Sequence, residues 1–111
     1  MKIPLDYGEL EISMHALKKL VYLAVSESYG PVSIESNSPL SLGKILGKEE
    51  EKIHVEETGD RSVFVEVYLE VEYGVKIPEV AKNTIDNIKY KLQEIAGAEE
   101  VTVNIYIIGV R

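Results

Sequence analysis

The chain has 111 residues, 45% of them hydrophobic, no cysteine and a formal net charge of −7. That length and apolar content suit one domain, residues 1–111, with a single core and a large share of its surface exposed; without cysteine there is no disulfide framework, thiolate metal site or thiol nucleophile. The charge is local: residues 49–72 hold nine carboxylates against Lys52 and Arg61, and the remainder is neutral, so phosphate backbones are repelled and nucleic acid is not the expected ligand.

In chain order, residues 8–12 alternate, with Leu10 and Ile12 on one side, and suit a short strand. Ser13 is placed to cap a first helix, because Leu17, Leu20, Val21, Ala24 and Val25 recur along one helical face. Gly30 and Pro31 mark its end. Residues 32–35 form a further strand candidate. Residues 37–48 are broken by Pro39, Gly43 and Gly47 and read as a loop over the core, although Leu40, Leu42, Ile45 and Leu46 also offer a docking surface there.

Ile53 and Val55 alternate with polar neighbours, and Thr58, Gly59 and Asp60 supply turn chemistry before the clearest strand. Val63, Val65, Val67, Leu69, Val71 and Tyr73 point one way along it. Phe64, Glu66, Tyr68, Glu70 and Glu72 point the other. A hairpin centred on Gly59 would set Val55 against Val63, Ile53 against Val65, and Lys52 across from Glu66 on the wet side. Residues 78–96 read as a second helix, with Pro78 in its first turn, Gly97 beyond its end, and Ala81, Ile85, Ile88, Leu92 and Ile95 on one face. Val101, Val103, Ile105 and Ile107 then alternate with Thr102, Asn104 and Tyr106 in a last strand. The fold class is α+β: two layers, with two helices on one face of a small, mostly antiparallel sheet.

The other face of that sheet carries Phe64, Tyr68, Tyr106 and the row of Glu66, Glu70 and Glu72. Paired carboxylates on a strand serve acid/base work or bind a hard cation only if they converge, which a flat face rarely allows; a solvated acidic face is the plainer reading. His15 and His54 stand apart with no ligand spacing, so no metal site is expected. There is no phosphate-binding glycine loop or nucleophile elbow, and the serines at 26, 28, 33, 36, 38 and 41 lack a base, so catalytic residues and a cofactor are not expected either. Tyrosines on a sheet can stack bases in an RNA-binding platform, but there they are framed by basic residues and here by glutamates. A protein partner suits such a face better.

The opening MKIPLDYGEL lacks a secretory signal and no stretch approaches a membrane span, so a cytoplasmic protein is expected. Sixteen Glu and ten Lys against one Gln and four Asn is a composition favoured at high temperature, as in a thermophile.

Residues 73–81, YGVKIPEVA, follow the alternating strand, and the block resembles the hallmark of the alkaline shock protein 23 family of bacterial stress and cell-envelope-related proteins. The start GELEIS (residues 8–13) and the ending VNIYIIGV (residues 103–110) agree with that family's pattern in the same order. Physically the block is a junction: Gly74 lets the strand turn, Ile77 and Pro78 open the helix, and Glu79 sits at its positive end, with Tyr73 leading in. The resemblance implies a non-enzymatic protein linked to envelope homeostasis or alkaline stress response. It also implies a protein partner and self-association into an oligomer, with recruitment to the membrane only through a partner. Lacking the charged tails of the longer stress proteins, the chain is similar to the short housekeeping type. The expected contact residues are Phe64, Glu66, Tyr68, Glu70, Glu72 and Tyr106, with Leu40 and Leu42. A metal-dependent enzyme using Glu66, Glu70 and Glu72 is the competing reading, and weak RNA binding by the tyrosine face is another.

Overall fold

The computed structural model describes residues 1–28 and 52–110. The strand expected at residues 32–35, the helix end at Gly30 and Pro31, and the loop at residues 37–48 with Leu40 and Leu42 lie outside the described residues. The described chain runs β1 (Lys2–Leu5), β2 (Gly8–Glu11), α1 (Met14–Ser28), β3 (Ile53–Gly59), β4 (Ser62–Val71), α2 (Ile77–Tyr90), a π-helical turn (Lys91–Ile95) and β5 (Glu100–Val110). The α+β class holds. β1 and β2 pair as an antiparallel hairpin, while β3, β4 and β5 form a separate sheet in that order, antiparallel between β3 and β4 and parallel between β4 and β5. The parallel pair follows from α2, which crosses over the sheet and returns the chain in the direction of β4.

Ser13 caps α1, its Oγ accepting a hydrogen bond from the Ala16 amide at 3.1 Å, which satisfies one of the orphan donors of the first turn. The helix buries Leu17, Val21, Tyr22, Ala24 and Val25, and Leu20 packs against the same core. These meet Ile53 and Val55 of β3, Val63, Val65, Val67 and Leu69 of β4, Ile88 and Leu92 of the second helical segment, and Val101 and Val103 of β5 in one cluster. Both helices therefore cover one face of the β3–β4–β5 sheet. Burying aliphatic side chains of this size stabilises by roughly 1.5–3 kcal/mol each relative to exposure.

Three details differ from the sequence reading. The hairpin register pairs Ile53 with Val67, Val55 with Val65 and His54 with Glu66, two residues from the expected alignment. A two-residue shift keeps every side chain on its expected face, and the reason for it lies in the turn. The reversal is made by Asp60 and Arg61 between Gly59 and Ser62, with a register irregularity between Glu57 and Gly59 and Arg61 at φ 57°. Lys52 accordingly lies beside Tyr68, whose amide donates to the Lys52 carbonyl at 2.9 Å, and not opposite Glu66. Tyr73 is 87% exposed, because β4 ends at Val71 and the chain turns through Gly74 at φ 99°. Ile95 is 58% exposed while Ala96 is buried. The π-helical turn inserts one residue into the helical phase, so Ala96 takes the core position that Ile95 would hold in an uninterrupted α-helix. The buried face of α2 is Thr84 and Ile88; the Thr84 hydroxyl satisfies itself by donating to the Val80 carbonyl at 2.7 Å.

Two polar contacts tie distant segments together. Asn87 Nδ2 donates to the Ala24 carbonyl at 2.9 Å and to Glu27 Oε2 at 3.3 Å, and Lys91 Nζ lies 3.2 Å from Glu27 Oε1, clasping α1 to α2. The Asn87 hydrogen bond, with that from Lys91, holds the Glu27 carboxyl below its ordinary pKa. At the opposite end, Arg61 Nε and Nη2 donate to the Gly97 carbonyl at 3.0 and 2.7 Å, and Arg61 Nη1 lies 3.2 Å from Glu99. The Arg61 carbonyl in turn accepts from the Glu99 and Glu100 amides at 2.7 and 3.2 Å. The β3–β4 turn is thereby fastened to the start of β5, which stays in register with β4 from Ser62 and Glu100 to Leu69 and Ile107, where the register shifts by one residue.

Candidate interaction surface

With both helices on one face, the opposite face of the β3–β4–β5 sheet is uncovered by any described element. Strand alternation places His54 and Glu56 of β3, Phe64, Glu66, Tyr68 and Glu70 of β4, and Thr102, Asn104 and Tyr106 of β5 on it. The β4–β5 register aligns Phe64 with Thr102, Glu66 with Asn104 and Tyr68 with Tyr106. The Tyr68 and Tyr106 rings stack, 5.0 Å between centroids and 16° between planes, an arrangement worth about 0.5–1.5 kcal/mol beyond burial. The Tyr106 hydroxyl donates to Glu66 Oε2 at 3.2 Å. His54 Nε2 lies 3.7 Å from Glu56 Oε2.

Of the residues expected to make contact, Phe64, Glu66, Tyr68, Glu70 and Tyr106 thus share one face. Phe64, Glu66 and Tyr68 are half-buried by their neighbours, and Glu70 is exposed. Glu72 does not join them: it lies past the end of β4, and its carbonyl accepts from the Val75 amide at 3.3 Å in the turn toward α2. The row of three carboxylates is therefore a pair on the strand and one beyond it. Among the described residues no group of three or more His, Cys, Asp or Glu side chains converges as a metal ligand set would. Lys52 was expected on this side opposite Glu66; the shifted register puts His54 opposite Glu66 instead and sets Lys52 beside Tyr68.

The YGVKIPEVA block sits away from this face. Lys76 is the N-cap residue of α2 without a side-chain cap, Pro78 lies in the first turn, and Glu79 supplies the first-turn acid. Tyr73, Gly74, Ile77, Pro78 and Glu79 make a strand-to-helix junction with a conformational task.

The model of the alkaline shock protein 23 family, described by a cell envelope-related function, matches residues 2–111. The uncharacterized protein YloU of Bacillus subtilis strain 168 is 33% identical over 109 residues, covering 95% of this chain and 90% of that protein. An uncharacterized protein of Streptococcus pyogenes serotype M6 is 31% identical over 114 residues, covering 100% of this chain and 94% of its own length. A further uncharacterized Bacillus subtilis protein, YqhY, is 27% identical over 105 residues, covering 94% and 78%. No solved structure matches the chain.

Proposed function

The chain belongs to the alkaline shock protein 23 family, and from that premise we propose that it is a non-enzymatic protein–protein interaction module, a scaffold or adaptor of envelope homeostasis or the alkaline stress response. Its contact surface in this reading is the uncovered sheet face. The observation that carries the proposal is the stacked Tyr68–Tyr106 pair, held in place by Glu66 and bordered by Phe64 and Glu70. An aromatic platform with a fixed rotamer loses little side-chain entropy when a partner settles on it, and tyrosine offers apolar area with a polar tip. The carboxylates around it favour a protein surface bearing Lys or Arg over a phosphate backbone. Recruitment to the membrane, on this view, runs through the partner; no described helix is long and apolar enough to cross a membrane.

The test uses two substitutions on the central strand, Glu66→Lys and Tyr68→Ala, in a protein whose far-UV circular dichroism and thermal melt are checked first. Affinity capture from cells of the native host, with and without both changes, should return a defined protein with the wild type and lose it at least about tenfold with the double variant. An identical set of captured proteins in both cases removes this face from the function.

A further inference from the structure

The two outer strands of the β3–β4–β5 sheet are unlike each other. β3 carries His54, Glu56 and Glu57, the kind of charged side chains by which an edge strand resists pairing with another chain. β5 runs eleven residues, and from Val101 to Val110 it has no charged residue and no proline. Among the described residues nothing pairs with its outer side, since the sheet order ends on β5. As far as Ile107, where one extra β5 residue shifts the register, every second residue directs its N–H and C=O away from β4, and such a row is a template for a further strand.

Both faces of the strand are short of cover as well. On the helix-covered face Ile105 and Ile107 are only partly buried and Val110, level with the buried Val71, is 55% exposed, while Tyr106 and Ile108 are 40% and 55% exposed.

We propose that the outer edge of β5 pairs antiparallel with β5 of a second copy of this chain, joining two three-stranded sheets into one six-stranded sheet around a two-fold axis. The charge pattern selects the occupant. On a chain of net charge −7, β5 is the sheet edge along which two copies meet with no carboxylate opposite a carboxylate. Antiparallel partners face the same way, so the registers that overlap the uncharged stretch most fully are centred on Ile105 or on Tyr106. The first sets Ile105 against Ile105 and Ile107 against Val103, the second sets Ile105 against Ile107, and both extend the core strip under both pairs of helices. The arrangement closes on itself, because the outermost strands of the joined sheet are the two acidic β3 edges. This edge lies beside the tyrosine face and does not depend on it.

The absence of cysteine makes the geometry directly measurable. Single variants Asn104→Cys and His54→Cys, both at exposed positions, carry a nitroxide label in the full-length protein, and electron–electron distances are read from micromolar to millimolar concentration. Strand spacing and rise place the two Asn104 backbones within about 15 Å of each other, and the two His54 backbones, five strand spacings apart, at about 24 Å or more. Alongside, Ile105→Lys, on the helix-covered face, should convert a dimer seen by light scattering into a monomer with an unchanged circular dichroism spectrum, since it sets a lysine opposite a lysine when the pair is centred on Ile105 and diagonal to one when it is centred on Tyr106. A monomer at every concentration, a short His54 distance, or an Ile105→Lys variant that stays dimeric overturns the proposal. Loss of the dimer in Ile105→Lys with partner capture retained, or the reverse with Glu66→Lys and Tyr68→Ala, separates this inference from the face reading.

Discussion

Replacing Arg61 separates two contributions that the fold combines at one residue. Its side chain donates twice to the Gly97 carbonyl, at 3.0 and 2.7 Å, and pairs with Glu99, whose side chain is 67% exposed. Its backbone sits at φ 57°, where a residue with a Cβ is strained. Hydrogen bonds from a charged donor contribute about 1.5–3 kcal/mol; the pair with the exposed carboxylate adds at most about 1 kcal/mol. Because the contact is only partly buried, Arg61→Ala should cost about 2 kcal/mol, the lower part of that range. Arg61→Gly removes the same contacts but releases the left-handed strain of about 1 kcal/mol, so its net cost should be near 1 kcal/mol. At about 4 °C per kcal/mol for a domain of this size, the melting temperature falls about 8 °C for alanine and about 4 °C for glycine. Both variants still fold, because the amides of Glu99 and Glu100 donate to the Arg61 carbonyl whatever the side chain. Thermal and urea unfolding decide it: a glycine variant no more stable than the alanine variant would refute the assigned backbone strain, and an unchanged alanine variant would refute the clasp.

Gly97 and Gly74 both have positive φ, but a Cβ at Gly97 meets Ile3 Cδ1 at 3.0 Å while one at Gly74 meets nothing within 4 Å; Gly97→Ala should therefore lose clearly more stability than Gly74→Ala, whose cost is backbone strain alone at about 1 kcal/mol. Thr84→Val keeps the volume and removes a hydroxyl whose acceptor, the Val80 carbonyl, belongs to the same helix, so the urea midpoint should move by no more than about 0.5 kcal/mol equivalent, whereas a comparable apolar truncation at Ile88 costs about 2–5 kcal/mol. Glu27 has its folded pKa lowered, first by the Asn87 hydrogen bond and then by Lys91. Its contribution is therefore fully present above the ordinary value of 4.5 and is lost as pH falls through the lower folded value. Unfolding midpoints from neutral pH down to about pH 3 should show that loss in the wild type and a flatter profile in Glu27→Gln.

Much of the scaffold was legible because it rests on short-range patterns. The alternation at residues 63–71, the capping serine at Ser13 and the junction at Gly74 and Pro78 each encode their element locally, through side-chain period, cap chemistry and backbone freedom. β1 was not read, since a four-residue segment containing Pro4 offers no alternation long enough to recognise. The π-helical turn and the two-residue register shift were invisible for a different reason. Each is a choice between nearly equivalent local arrangements, and packing across the core makes it. Of the candidate surface, Phe64, Glu66, Tyr68, Glu70 and Tyr106 could be grouped from strand parity. The tyrosine stack could not, because it requires Tyr68 and Tyr106 to be level across a parallel pair, an alignment set by the Arg61 clasp at the far end of the strands.

By itself, then, the sequence determined most of the residues that face the core (though not Tyr73 or Ile95, which are exposed), where the helices begin, that the acidic charge collects in the middle of the chain, and which family the chain resembles; all are properties of neighbours in the chain. Only the tertiary structure decided that β5 lies parallel to β4 at the sheet's edge, that Glu72 leaves the acidic row, and that Arg61 joins a turn to a helix end thirty-six residues away. Those outcomes depend on contacts between segments far apart in sequence, whose energies compete only once the core has formed.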